Sequence, residues 1–469
     1  MVKRIESNSV LKVKFEYLFL LLGLIFGILF VFINPPYQTN DEDRHFYACY
    51  SISEGQFNPV NKNNMSGTAL PKNLVAITQS FQGLPFYQGA KISSNKVKEA
   101  SKLPLYPKDT MFYPNPQLVG NPLPYIPQVT GILIGKVINS NPIWLMRFGR
   151  LGSLLAYLLI IFFAIRITPI FKSVFFIYAL TPMALYQGAS ITYDSLNIAT
   201  SFLLIALALY YAFEKSEITI KDLIIFGVIA LIHRFAKDGY ILFPLLIFLV
   251  PPAKFGSIKK LAYVYPSFAV FFIVIYFLPG WTWGKYIGGL NLLPPPGGIK
   301  DFVYGSATDF GRLLDSPVHH IKNIMNSFLF QRKDWVGGVI GRFGYSYTLL
   351  PTFFMIIHGL VLLTVAFLDS RKDVVMSLTQ KIIIFCAGFG TIGLIITGFY
   401  LSSPLGASNI FGLQGRYFVP AIPLVLLVLY NSVFELKFWT RWKSTILSLY
   451  MIGALTYTVI FMNGYFYGP

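Results

Sequence analysis

The chain has 469 residues, of which 55% are hydrophobic and 12% charged, with a mean hydropathy of +0.59. Roughly a quarter of an ordinary soluble protein is charged, so a soluble enzyme is excluded, and the apolar runs recurring from Tyr17 onward predict a multi-pass membrane protein. The formal charge of +18 would suit nucleic acid, but the basic residues are dispersed and form no basic module, so membrane topology and anionic lipid account for them and no nucleic-acid partner is expected.

Lys3, Arg4, Lys12 and Lys14 precede an apolar run from Phe15 to Ile33 that is too long for a signal peptide and is followed by no small-residue cleavage site. It reads as an uncleaved first span with a cytoplasmic N-terminus. Further spans are predicted near 146–165, 172–189, 192–213, 220–232, 240–252, 261–279, 349–368, 381–401, 416–434 and 445–465. The expectation is an all-α polytopic protein, one domain of about eleven transmembrane helices with its C-terminus outside. Residues 220–252 decide the parity, because the two runs flanking His233-Arg234-Phe235-Ala236-Lys237-Asp238-Gly239 are each short for a span. With a hairpin there, Arg166, Lys172, Lys215, Lys221, Lys254, Lys259, Lys260, Arg371, Lys372, Lys381, Lys437, Arg441 and Lys443 all fall on the cytoplasmic side, as the positive-inside rule requires.

Two outer segments, 34–141 and 280–348, are too long to be mere connectors and are expected to contain short interfacial helices, one of them over 90–102. No internal repeat stands out, and the halves lack the matched broken helices of an inverted-repeat transporter. Only two cysteines occur, Cys49 and Cys386, the latter within a span, so neither a disulfide framework nor a Cys-based metal site is expected.

Chemistry concentrates just after the first span, in Asn34-Pro35-Pro36-Tyr37-Gln38-Thr39-Asn40-Asp41-Glu42-Asp43-Arg44-His45-Phe46. Pro35-Pro36 ends the span, Thr39 or Asn40 can cap a new helix, and Phe46, Tyr47 and Tyr50 give it an apolar stripe. Asp41 and His45, four apart, share a face, and an ionised Asp held by a neighbour is what a general base needs. The competing roles are ordinary helix capping, a solvated pair of Arg44 with Glu42 or Asp43, and a Mg or Mn site built from Asp41, Asp43 and His45.

Arg147, Arg150, His233, Arg234, Lys237, Arg342 and Arg416 lie at outer span ends, where topology does not call for cations. A lipid-borne phosphate or pyrophosphate sits at that depth and would pair with them; snorkelling to lipid phosphate is the simpler role for any one. Asp194, at the start of the fourth span, can neutralise such a cation, bind a sugar hydroxyl or cap its helix. Trp281, Trp283 and Trp335 can stack on sugars or anchor the membrane interface, and His319-His320 reads as a solvated loop pair.

Pro35-Pro36 with Asp41-Glu42-x-x-His45-Phe46, Ser190-x-x-x-Asp194, Lys237-x-Gly239-Tyr240, Gly341-x-Phe343-Gly344-Tyr345 with Pro351, and Gln414-Gly415-Arg416-Tyr417-x-x-Pro420 resemble, in order along nearly the whole chain, a bacterial multi-pass membrane family formerly of unknown function. That family is similar to the glycosyltransferase-C (GT-C) superfamily. The chain departs from the pattern in having Asn40, where Pro often precedes the acidic pair, and Arg342 within the glycine-aromatic element. The resemblance implies a GT-C-like fold in the bacterial plasma membrane. It further implies a polyprenyl-phosphate sugar donor, a glycan or lipid-linked acceptor, and transfer with inversion on the extracytoplasmic face. Asp41 would be the base, with Glu42 as the alternative and His45 beside them. Arg147, Asp194, Arg234, Lys237, Arg342, Gln414, Arg416 and Tyr417 would bind substrate. A flippase of lipid-linked glycans would use the same cations without needing a base, and a glycan polymerase or ligase would make a ladder of products.

Overall fold

Uninterrupted hydrocarbon-rich sequence with good helix formers becomes long helix, and among the described residues five such segments are long and apolar enough to cross a membrane: α1 (Phe15–Ile33), α6 (Pro142–Ile167), α9 (Asp194–Phe213), and the helices Leu378–Ser402 and Lys437–Phe466. The computed structural model describes residues 13–62, 65–83, 89–115, 122–138, 141–237, 239–256, 263–264, 266–270, 311–404 and 407–467. Lys3, Arg4, Lys12, Asp238, Lys259, Lys260, Trp281, Trp283 and most of the span expected at 261–279 lie outside them. Helix starts follow local chemistry. Asn141 caps α6 by accepting from the Trp144 N–H, with Pro142 at the first helical position, and Ser377 with Gln380 forms a capping box before Leu378.

Three expected spans are not continuous helices. Residues 172–189 divide into α7 (Lys172–Ala179) and α8 (Pro182–Gly188), because Pro182 has no N–H to continue the ladder. Residues 416–434 become a 3-10 turn (Gly415–Phe418) and a short helix (Ile422–Leu427), with Pro420 and Pro423 responsible, and 240–252 holds the 3-10 stretch Phe243–Leu249. Interrupted helices therefore do occur in both halves of the chain, although hydropathy alone read these segments as continuous spans. The Thr352–Leu368 helix is apolar but has only 17 residues.

The helix ends sort onto two faces. At one, Lys443 pairs with Asp369 at 2.8 Å, Asp369 accepts from the Ser173 N–H at 2.9 Å, and Lys172 donates to the Arg166 carbonyl at 2.7 Å. Arg371 reaches Glu214 there, and Lys254 donates to the Lys215 carbonyl at 2.6 Å. The Ile218 N–H donates to the Lys254 carbonyl at 2.8 Å, so α10 (Ile220–Ala236) and the 3-10 stretch after it leave and return at this same face, the hairpin that the charge pattern requires. Arg166, Lys172, Lys215, Lys254, Arg371 and Lys443, among the cations assigned to one side by sequence, thus lie at one face of the fold.

At the opposite face, residues 34–141 build a small unit with its own core, and here the all-α expectation fails. Strands β1 (Val60–Lys62), β2 (Met65–Pro71) and β3 (Thr110–Pro114) form an antiparallel sheet in that order, with Gly67 opposite both Val60 and Pro114. Helix α2 (Glu42–Ser53) is the buried centre of this unit rather than an interfacial helix: Phe46, Tyr47 and Tyr50 pack with Leu70, Leu74 and Ile132. The expected piece over 90–102 contains α4 (Ser94–Ala100). Helix α5 (Ile126–Val137) lies on α6 so closely that a Cβ at Gly131 would strike the Phe148 carbonyl and one at Gly152 the Pro127 carbonyl. The last helix meets this unit where the Ile92 N–H donates to the Phe466 carbonyl at 2.8 Å. From the second long segment come the helix Pro317–Ile340 and a hairpin of β4 (Arg342–Phe343) and β5 (Thr348–Leu349), turned by Gly344 and Ser346 at φ 61° and 67°. His319 and His320 therefore lie on a helix, with His320 against the Tyr400 ring at 4.4 Å, and are not a loop pair.

Candidate functional site

The three carboxylates of the acidic motif, consecutive in sequence, have three different environments. Glu42 is fully buried and receives a two-pronged hydrogen bond from Arg150, Nε to Oε1 at 2.8 Å and Nη2 to Oε2 at 2.5 Å, while the Ile191 N–H adds a third at 3.1 Å. Arg150 also donates to the carbonyls of Val31 at 3.0 Å, Asn34 at 2.7 Å and Pro35 at 2.9 Å. The Val31 carbonyl is one that Pro35, lacking an N–H, leaves unpaired at the end of α1, and the pair ties α1, α2 and α6 together. Arg150 neither snorkels nor faces a ligand, and Glu42 is removed as a base. Asp43 accepts from Gln82 at 2.8 Å and from the Tyr345 hydroxyl at 3.2 Å, which joins α2 to the β4–β5 hairpin. Arg44 is exposed and pairs with neither neighbouring carboxylate.

Asp41 alone remains partly open, its side chain 39% exposed. It precedes α2 in the left-handed region, φ 58° and ψ 17°, and its carboxylate makes no capping bond, so ordinary capping does not explain it. Asp and Asn are among the few side chains that tolerate this conformation, and residues held there cluster at functional sites. Nor do Thr39 and Asn40 cap. Thr39 Oγ1 donates to Ser190 at 2.9 Å and accepts from Asn34 at 3.0 Å, and Asn40 Nδ2 donates to Ser346 Oγ at 3.4 Å.

Across from Asp41 stands a second carboxylate with two cations. Asp194, the first residue of α9, accepts from Lys237 at 2.5 Å and from Arg416 Nη1 at 2.9 Å, and Arg416 Nη2 lies 4.0 Å from Asp41. Gln414 Oε1 accepts from Arg416 Nε at 2.8 Å, and the Tyr417 hydroxyl accepts from Nη2 at 3.3 Å. Lys237 caps this arrangement over the rings of Tyr417 at 4.0 Å and Tyr193 at 5.0 Å. Burial lowers the Lys237 ammonium to about 8, against the pull of Asp194. His45 sits below, its Nδ1 2.6 Å from the Tyr125 hydroxyl and its ring edge-on to Tyr193. Burial lowers His45 to about 4, so the imidazole is neutral at neutral pH and supports the site rather than carrying charge into it.

Residues far apart in the sequence, Asp41, His45, Asp194, Lys237, Gln414, Arg416 and Tyr417, thus converge. The other candidates do not join them directly. Arg147 lies over the rings of Phe32 at 5.1 Å and Trp144 at 4.9 Å. Arg234 is half-buried in the last turn of α10, and His233 faces Thr200 at 2.9 Å. Arg342 is paired with Asp334 and donates to the Ser346 carbonyl, so it braces the hairpin beside Asn40. Trp335 is buried, donates to Gln331 at 3.2 Å and packs on Phe418, serving neither sugar stacking nor the interface.

The suggested Mg or Mn site is not assembled, since Asp43 and His45 turn to other partners, and no group of three or more His, Cys, Asp or Glu suited to a metal occurs among the described residues. Both cysteines are free, Cys49 buried and Cys386 exposed on its span. Tyr125 and Tyr193 were given no role by the sequence, and the hairpin's Tyr345 entered only as a member of the Gly341-x-Phe343-Gly344-Tyr345 element. Of the first two, Tyr193, adjacent to Asp194, carried a local hint.

Compared with known proteins, the chain matches the family described as "Predicted membrane protein (DUF2142)" over residues 24–425. It belongs to that family. The DUF2142 match runs from within α1 to the Ile422–Leu427 helix and so includes Asp41, Asp194, Lys237 and Arg416. No curated protein and no solved structure matches the chain.

Proposed function

We propose that the protein is a membrane glycosyltransferase of GT-C type that moves a sugar from a polyprenyl-phosphate carrier to a cell-envelope glycan or lipid-linked acceptor on the extracytoplasmic side of a bacterial plasma membrane. The support is one observation: of the carboxylates at the convergence point, Asp41 alone keeps an open side, and it does so within 4.0 Å of a buried guanidinium. The face bearing Asp41 lies opposite the face where Arg166, Lys172, Lys254 and Lys443 gather, the arrangement expected if the site is external. The chain would then make about eleven crossings, counting the short and broken segments.

In this reading the donor phosphate takes hydrogen bonds from Lys237 and Arg416, in competition with Asp194. Asp194 keeps the two cations charged and aimed while the site is empty. Asp41 accepts the proton of the acceptor hydroxyl as its oxygen bonds to the anomeric carbon. The bond from that carbon to the phosphate oxygen breaks, and the electron pair leaves on the phosphate, where the two cations stabilise it. His45, held neutral on Tyr125, and Tyr193 line the base's side of the pocket.

The broken segments 172–189 and 415–427 favour a second reading, a transporter of lipid-linked glycans, since interrupted helices line substrate paths in such proteins. Both readings are tested in proteoliposomes loaded with radiolabelled polyprenyl-phosphate sugars. The transferase reading expects label on the acceptor, a rate about 10²–10⁴-fold lower in Asp41→Asn, and unchanged donor binding. Label that crosses the bilayer unaltered, equally in wild type and Asp41→Asn, establishes the transporter instead. A ladder of products rather than a single addition marks a polymerase or ligase.

A further inference from the structure

The Pro317–Ile340 helix is amphipathic in the reverse sense. Val318, Ile321, Met325, Phe328 and Leu329 are exposed, while His320, Asn323, Ser327 and Gln331 lie on the inward side. That spacing of three and four residues places all four on one helical face, turned toward the Leu378–Ser402 span and the segment after it. His320 Nε2 lies 3.4 Å from Thr397, more than a turn inside the outer end of that span, so the polar stripe reaches the depth of the hydrocarbon. Polar side chains are costly at that depth, and apolar ones are best turned outward to lipid.

The two halves of the stripe differ. In the half nearer the Asp41 site every polar group is engaged: Ser327 accepts from the Ile410 N–H at 2.7 Å, Gln331 donates to the Ile410 carbonyl at 3.1 Å and accepts from Trp335, and Asp334 holds Arg342. In the far half, Asn323 is only 2% exposed, yet neither atom of its carboxamide has a hydrogen-bond partner, and His320 Nδ1 has none either. A buried, unpartnered amide and, one turn away, an unpartnered imidazole nitrogen on the ring that packs against Tyr400 mark a place whose polar partner arrives from elsewhere.

We propose that the seam between the Pro317–Ile340 helix and the Leu378–Ser402 span is a second carbohydrate-binding site, which receives the neutral sugar head of an alkyl- or polyprenyl-linked glycan. The donor set fits that class. A carboxamide and an imidazole offer both donors and acceptors without charge, as sugar hydroxyls require, and Tyr400 supplies an aromatic wall. An anionic group would instead call for the cations that the Asp41 site has and this seam lacks among the described residues. The engaged half acts as the fixed end, and the far half of the helix opens to admit the sugar while its apolar side keeps contact with lipid. The choice of a sugar ligand rests on the proposed transferase reading; the unpartnered groups do not.

The test uses the full-length protein in lipid nanodiscs and radiolabelled octyl β-glucoside as probe, with equilibrium binding and the thermal unfolding midpoint measured together. Asn323→Leu is expected to bind the probe at least ten-fold more weakly while its midpoint stays level or rises, because removing a buried unpartnered amide does not weaken a fold. His320→Phe, which keeps the packing on Tyr400, is expected to lose a similar factor, and Asp41→Asn none. Binding unchanged in both Asn323→Leu and His320→Phe overturns the proposal, whatever happens to the midpoint, and marks the wild-type binding as an adventitious additive only. Intact binding in an Asp41→Asn variant that no longer transfers sugar separates this site from the base; normal transfer by Asp41→Asn would sink the transferase reading and leave the seam standing.

Discussion

Asp41 and Glu42 are consecutive carboxylates that on paper could each act as a base, yet one keeps its side chain 39% exposed beside Arg416 and the other is locked into the fold. The difference originates in the backbone. A left-handed residue at position 41 turns its side chain away from the helix axis toward Arg416, whereas Glu42, already helical, points between α1 and α6 at Arg150. A buried ion pair keeps its charges only when every prong is hydrogen-bonded, and the Glu42–Arg150 pair meets that condition. The Asp41 cluster leaves one carboxylate half-exposed with a cation at the edge of ion-pair distance. The first arrangement is complete without a ligand, and in the proposed reading the second is completed by one.

The contrast breaks most visibly at the locked pair. Glu42→Ala leaves the Arg150 guanidinium buried and uncompensated, and a loss of about 3–5 kcal/mol is expected in the free energy of unfolding, read by denaturant titration in detergent. A loss under about 1 kcal/mol would show that water or lipid reaches Arg150 and that the lock is not closed. At the open cluster, Arg416→Ala is expected to weaken donor binding by about 1.5–3 kcal/mol, measured by equilibrium binding of the polyprenyl-phosphate sugar. Unaltered affinity would remove Arg416 from the phosphate site.

A smaller effect follows from Lys237. Its ammonium titrates near 8 in the folded protein because burial disfavours the charge, and only the charged form attracts phosphate. Donor affinity should therefore be flat below about pH 7 and fall as pH rises through 8, and Lys237→Arg should abolish the fall because a guanidinium stays protonated. A wild-type affinity flat to pH 9 would assign the phosphate contact to Arg416 alone.

Sequence reasoning picked out much of the candidate site because its parts obey rules that act locally. Asp41, Lys237 and Arg416 sit at helix ends, where charge is conspicuous against an apolar background, and lysine and arginine counting called for a hairpin over 220–252, whose flanks meet at Ile218 and Lys254. It placed Asp41 before Glu42 only on the face shared with His45 and on the family resemblance, since their separation in the fold depends on a guanidinium at position 150 and on one backbone dihedral. The same holds for Arg147, whose aromatic partners are set by how α6 packs on α1. Hydropathy cannot distinguish a continuous span from two half-length helices, so the effects of Pro182, Pro420 and Pro423 passed unseen. Strands β1 to β3 are short, and β2 finds its second partner β3 only far along the chain, with Gly67 opposite Pro114, leaving no period long enough to read.

The most direct test compares Asp41→Asn with Glu42→Gln in reconstituted protein, measuring sugar transfer and the unfolding midpoint for each. Asn tolerates the left-handed backbone at position 41, so Asp41→Asn should keep the wild-type midpoint and lose about a hundredfold or more in transfer. Glu42→Gln should show the reverse, a clearly lowered midpoint with near-normal transfer per folded molecule. Wild-type transfer by Asp41→Asn, or a stable Glu42→Gln that transfers nothing, would contradict the division of labour between these two carboxylates.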